Sequence, residues 1–182
     1  KTTTVANLAI TYANLGKKTL LIDADLRKPV VHSMFNLNRD NGLTSYLVGL
    51  EKDYKKIINH TDVENLSVIT SGVIPPNPSE LISSSALEEL LEKLKDDYDA
   101  ILFDTPPLIA VTDAYIISKH VNNFLLVIRS AVTQKGALER ALTQANNINN
   151  NIYGVIFNGV NEFNTYGGGY YYNYYQYYAD EK

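Results

Sequence analysis

Five short apolar runs recur along the chain with helical patterns between them, and that alternation leaves few folds open. The runs cover residues 19–22, 66–70, 100–103, 124–128 and 153–157. They are dense in leucine, isoleucine, valine and phenylalanine without a regular polar alternation, which is how strands covered on both faces read. Between them, Val5, Leu8, Ala9, Tyr12, Ala13 and Leu15 fall at helical spacing. Gly16 followed by Lys17 and Lys18 then reads as a helix stop with cations at the negative end of the dipole. Residues 2–15 are therefore expected to form a helix. Weaker helical patterns cover 43–48 and 53–58, and a strong one covers 86–94, with Ser85-x-x-Glu88 as a capping box. Residues 113–119 and 136–148 read as helices too. The expected fold is α/β: a mostly parallel sheet flanked by helices on both faces, with ligands at the carboxyl ends of the strands.

The chain has 182 residues, 45% hydrophobic and 20% charged, enough for one domain with a sizeable core. Its net charge of -4, without a long Lys/Arg run, argues against nucleic acid as a partner. There is no cysteine, so disulfides and thiolate metal sites are excluded, and three scattered histidines offer no zinc spacing. That pattern suits the cytoplasm. No apolar run approaches the roughly 20 residues that span a bilayer, so membrane attachment is expected to come through a partner or an upstream segment. Lys1-Thr2-Thr3-Thr4 runs directly into a helical pattern, as if cut inside a motif. The expectation is a fragment whose first strand and loop lie upstream.

The core pattern ends after Asn158. Residues 1–161 are expected to form the domain, and residues 162–182 a disordered tail in which Tyr166, Tyr170, Tyr171, Tyr172, Tyr174, Tyr175, Tyr177 and Tyr178 are crowded among glycines and polar residues. Such a tail is either a sticky low-complexity terminus or a set of presented phenols.

Two carboxylates stand out because each ends an apolar strand: Asp23 after Leu20-Leu21-Ile22, and Asp104 after Ile101-Leu102-Phe103. A charge there is costly unless a cation or ordered water compensates it. Asp104-Thr105-Pro106-Pro107 fits a Walker B strand end that organises Mg²⁺. Lys1-Thr2 fits the last two positions of a P-loop, and equally an ordinary threonine-rich helix cap. Asp25 follows Asp23 closely enough for the two acids to divide metal and base roles, whereas Arg27-Lys28 reads as solvated loop. The proline-rich stretch 71–80 reads as a rigid loop.

Taken together, Lys1-Thr2-Thr3, the segment Leu20 to Arg27, Ser71-Gly72, Pro75 to Leu81, Ile101 to Pro107 and the terminal tyrosines resemble the bacterial tyrosine kinases of capsular and exopolysaccharide biosynthesis. The resemblance covers nearly the whole chain. It implies a P-loop ATPase fold, ATP and Mg²⁺, with Lys1 and Thr2 as the Walker A pair, Thr3 beside them, and Asp23 and Asp25 in an additional Walker A' motif. By the same resemblance Thr2, Asp25 and Asp104 organise Mg²⁺, Asp23 and Lys1 are catalytic, and the eight tail tyrosines accept phosphate between subunits. Asn158 resembles an adenine-contacting asparagine of related ATPases, and also fits a plain turn residue. The implied partners are a transmembrane activator or polysaccharide co-polymerase, separate or fused upstream, other copies in a ring-like homo-oligomer, and a cognate phosphatase. The implied location is the inner face of the cell membrane.

Two rivals share the Walker-type pieces. One is a partition or septum-type ATPase switch that phosphorylates no protein, and the other a catalytically silent assembly module. The tyrosine cluster argues against the first.

Overall fold

A computed structural model describes residues 1–146 and 151–160. The tyrosine-rich tail, with all eight expected acceptors, lies outside these residues. The elements follow the expected alternation. Helix α1 (Thr2–Asn14) precedes strand β1 (Thr19–Asp23), and after short helices α2 (Val31–Met34) and α3 (Leu43–Leu47) come β2 (Ile58–His60) and β3 (Leu66–Ile69). Helices α4 (Pro78–Ile82) and α5 (Ser85–Leu94) lead to β4 (Ala100–Asp104). Helix α6 (Asp113–Ser118), β5 (Asn123–Arg129), α7 (Lys135–Asn146) and β6 (Asn151–Asn158) complete the order.

Strand β1 is central because every one of its five residues is buried. It runs parallel to β3 on one side and to β4 on the other, with Ile22 opposite Phe103 and Asp23 opposite Asp104. Leu20 and Ile22 face a core with Leu43, Ile69, Leu87, Leu90 and Leu94, whereas Leu21 faces a second core with Val68 and the alanines of α1. Burial on two faces is the reason the strand reads as an unbroken apolar run.

The structure departs from the expected layout in five places. Helix α1 buries Ala6, Ala9 and Ala13, while Tyr12 is 41% and Leu15 72% exposed. The contact face thus keeps Ala9 and Ala13 of the expected stripe, adds Ala6 and leaves out Tyr12 and Leu15, and its small side chains let the helix approach the sheet closely. Residues 53–58 form a 3-10 turn (Tyr54–Ile57) and then β2, which pairs antiparallel on the outer side of β3. The Ser85-x-x-Glu88 capping box is not formed, because Ser84 is the cap residue and its hydroxyl donates to the Leu81 carbonyl at 2.6 Å. The proline-rich loop ends in α4, where Pro78 stands at the first helical position with a φ already suited to it. Finally, β5 and β6 pair parallel only with each other, so the described strands form a four-stranded sheet in the order β2-β3-β1-β4 and a separate two-stranded sheet.

The Ser71-Gly72 turn is fixed by close packing. Gly72 has φ +81°, and a Cβ on it would lie 2.1 Å from the Thr44 hydroxyl oxygen, so only glycine lets this turn pass over α3.

Candidate active site

The carboxyl ends of β1 and β4 meet the first turn of α1. Register places Asp23 and Asp104 side by side, and the Ala24 N–H donates to the Asp104 carbonyl at 2.8 Å. Both carboxylates are buried, Asp23 fully and Asp104 to within 1%. Lys1 occupies the cap position of α1, with Thr2 as its first helical residue. The Thr2 hydroxyl donates to Asp104 Oδ2 at 2.6 Å. The Lys1 ammonium donates to Asp104 Oδ1 at 3.3 Å and also to the Thr105 carbonyl. One buried carboxylate thus gathers a hydroxyl and a cation from residues more than a hundred positions away.

Among the described residues, no cation of that kind reaches Asp23. Its two oxygens accept the N–H groups of Asp25 at 3.3 Å and Val31 at 3.1 Å. Burial, opposed by the Val31 N–H and reinforced by the neighbouring Asp104 charge, pushes its carboxyl up to about 7. A carboxyl poised there can exchange a proton near neutral pH, as a general base must. The folded, ligand-free protein then holds a proton that the unfolded chain releases near pH ~4. This contribution to stability is full below about pH 4 and is lost as pH rises through about 7. Relative to Asp23→Asn, the wild type is expected to lose ~2–4 kcal/mol of unfolding free energy between about pH 4 and 8. Urea melts across that range measure it, and a difference that does not vary with pH would contradict the assignment.

Asp25, 8% exposed, is turned by its own loop: its Oδ1 accepts the N–H groups of Arg27 at 3.3 Å and Lys28 at 3.0 Å. Asn158, at the end of β6, donates through its side chain to the Thr4 hydroxyl at 3.4 Å, which brings β6 to the first turn of α1. Thr3 stands exposed on that same turn. Lys1, Thr2, Asp23, Asp25 and Asp104 are therefore brought to one edge, with Asn158 beside them across α1.

Arg27 and Lys28 lie in an exposed loop as expected, but the Arg27 side chain is engaged. Its guanidinium makes a two-point ion pair with Asp113, Nε to Oδ2 at 2.8 Å and Nη2 to Oδ1 at 3.2 Å. The Ser79 hydroxyl donates to Asp113 Oδ1 at 2.6 Å and accepts from Arg27 Nη2 at 2.9 Å. Burial would raise the Asp113 carboxyl, but the Arg27 fork and the Ser79 hydroxyl outweigh it and hold the group below its ordinary value. Neither Asp113 nor Ser79 carried a signal in the sequence, because each is an ordinary residue of a helix's first turn. The Ser79 position inside the proline-rich stretch was the nearest hint.

Among the described residues, no three Asp, Glu, His or Cys side chains gather closely enough to enclose a metal. Mg²⁺ keeps several waters and binds through one or two carboxylates plus substrate phosphates. Thr2, Asp104 and Asp25 offer hard oxygen donors of this kind.

A family described as AAA domain matches residues 1–153. The chain is 43% identical over 159 residues to the tyrosine-protein kinase YwqD of Bacillus subtilis, covering 87% of this chain and 67% of that protein. It is 38% identical over 160 residues to the tyrosine-protein kinase etk of Escherichia coli, covering 88% of this chain but 22% of that protein. Among solved structures, the chimerical protein CapA2B2 superposes with a TM-score of 0.81 at 41% identity, over 84% of this chain and 67% of that one. The septum site-determining protein MinD of Pyrococcus horikoshii, complexed with Mg-ADP, matches at a TM-score of 0.70 and 23% identity over 86% of this chain and 63% of that one, a likeness of fold alone.

Proposed function

Because the chain belongs to the AAA-domain family and, within it, to the bacterial tyrosine-protein kinases, we propose that its intact protein moves the γ-phosphoryl group of ATP onto tyrosine hydroxyls and so regulates capsular or exopolysaccharide synthesis. The observation that carries this is the convergence of the Lys1 ammonium and the Thr2 hydroxyl on the buried Asp104, beside the buried Asp23. A phenol with pKa near ~10 is a poor nucleophile at neutral pH until its proton is drawn away. In this assignment Asp23 accepts that proton as the phenol oxygen bonds to the γ-phosphorus. The bond to the bridging oxygen then breaks and ADP leaves. Lys1 exchanges its hold on Asp104 for the β- and γ-phosphates. Thr2, Asp104 and Asp25 would hold Mg²⁺, which when bound offsets the negative charge of the transferring group. Asn158 would meet the adenine beside Thr4.

The acceptors are Tyr166, Tyr170, Tyr171, Tyr172, Tyr174, Tyr175, Tyr177 and Tyr178, which lie in the proposed tail 162–182 beyond the proposed kinase domain 1–161. Phosphorylation between copies in a homo-oligomer, activation by a membrane-bound co-polymerase and reversal by a phosphatase complete the proposal. None of the helices among the described residues is long and apolar enough to cross a membrane. Incubating the intact protein and its activator with ATP and Mg²⁺, then mapping modified residues by mass spectrometry, is expected to find phosphotyrosine between residues 166 and 178. Its absence there while ATP is consumed would overturn the acceptor assignment.

A further inference from the structure

Residues 24–30 connect β1 to α2 without regular secondary structure. Yet Asp25 can serve a fixed geometry only if this stretch keeps its shape. Its carboxylate is oriented by the N–H groups of Arg27 and Lys28, so whatever fixes residue 27 also fixes Asp25. Arg27 is held by Asp113 on α6 and Ser79 on α4, 86 and 52 residues away in sequence. The three side chains form a closed set, since Ser79 bonds both the carboxylate and the guanidinium.

We propose that Asp113 and Ser79 are positioning residues for phosphotransfer: they clamp the Arg27 guanidinium and thereby hold the Asp25 carboxylate toward the site. This rests on the assignment of Asp25 given above. Asp113 is fully buried, whereas the Arg27 side chain is 38% exposed. Stability alone explains such a pair poorly, because well-packed apolar residues commonly replace a buried ion pair without loss. A planar fork on a carboxylate does something apolar packing cannot, which is to fix the direction of the guanidinium and of the chain carrying it. Lysine would keep the charge but lose the second bond and the plane.

The distinguishing readouts, taken on the intact protein with its activator, are the Mg²⁺ dependence of phosphotransfer and, apart from turnover, Mg²⁺ binding to the ADP complex measured by calorimetry. Arg27→Lys and Asp113→Asn are each expected to lower kcat by roughly 10–100-fold and to raise the half-saturating Mg²⁺ concentration by a similar factor. The KM for ATP at saturating Mg²⁺ should stay within about twofold, because Lys1 and Asn158 are untouched. The double variant should be no worse than the more damaged single one, as expected for residues acting as one unit. Ser79→Ala should shift both quantities in the same direction by about threefold, less than the other two variants, because it removes two hydrogen bonds but leaves the two-point Arg27–Asp113 contact. Should Asp113→Asn fail to fold, Arg27→Lys and Ser79→Ala, both at partly exposed positions, decide the matter. Unchanged kcat and Mg²⁺ dependence in those two would overturn the proposal, as would lost activity at an unaltered Mg²⁺ midpoint. Asp25→Ala, run alongside, separates the two levels. Normal activity in it removes the Asp25 assignment itself, and inactive Asp25→Ala with normal clamp variants removes the clamp alone.

Discussion

Asp104→Ala in the intact protein is expected to lower tyrosine phosphorylation by three orders of magnitude or more, roughly 4 kcal/mol of transition-state stabilisation. Asp104 anchors two groups of α1 at once, Thr2 at 2.6 Å and Lys1 at 3.3 Å, so its removal disperses the site without touching a core contact. It also takes away a negative charge beside Asp23 that helps to keep the Asp23 carboxyl high. The proton acceptor would then titrate lower in a site that no longer holds the phosphates in place. The fold itself should remain, because loss of a buried carboxylate next to another relieves repulsion. Initial rates and thermal melts on the same preparation test both halves. A near-normal rate, or lost activity that merely follows unfolding, would remove Asp104 from the chemistry.

Lys1→Met should have an effect of the same order. The ammonium bonds only Asp104 and the Thr105 carbonyl, and its side chain is 34% exposed, so it adds little packing. A cation at a helix start faces the positive end of the helix dipole, which offsets part of what its hold on Asp104 adds to stability, whereas a charge on the β- and γ-phosphates is worth most as the phosphoryl group transfers. Nucleotide binding should weaken and phosphotransfer disappear, with the melting temperature within a few degrees of wild type. A large fall in melting temperature would identify Lys1 as a structural clasp between α1 and β4.

Strands β1 and β4 were legible in the sequence because each packs against a core on both faces, β1 buried and β4 half-buried, so that Leu20-Leu21-Ile22 and Ile101-Leu102-Phe103 carry no polar interruption. The acids that end them were legible for the same reason, since a charge that closes such a run must have a use. Strand β2 was hidden: Ile58-Asn59-His60 lies outside β3, needs no apolar face, and resembles the end of the preceding turn. Periodicity located α1 and, through Val5, Ala9 and Ala13, most of its buried face, but it missed Ala6 and added Tyr12 and Leu15, because a closely approaching sheet requires small side chains where the scale favours bulky ones. Asp113 and Ser79 could not be found at all. Their partner is Arg27, and a contact made across 86 residues leaves no local pattern.

In the proposed function this edge passes phosphate to tyrosine, whereas an ATPase switch passes it to water. The most direct measurement gives γ-labelled ATP and Mg²⁺ to the intact protein with its activator and counts label in phosphotyrosine against label in free phosphate during the first turnovers. The account predicts that phosphotyrosine within residues 166–178 carries most of the label, and that both products vanish together in Asp104→Ala. Label appearing only as free phosphate, at a rate that Asp104→Ala abolishes, would show the same site hydrolysing ATP without a protein acceptor and would contradict the account.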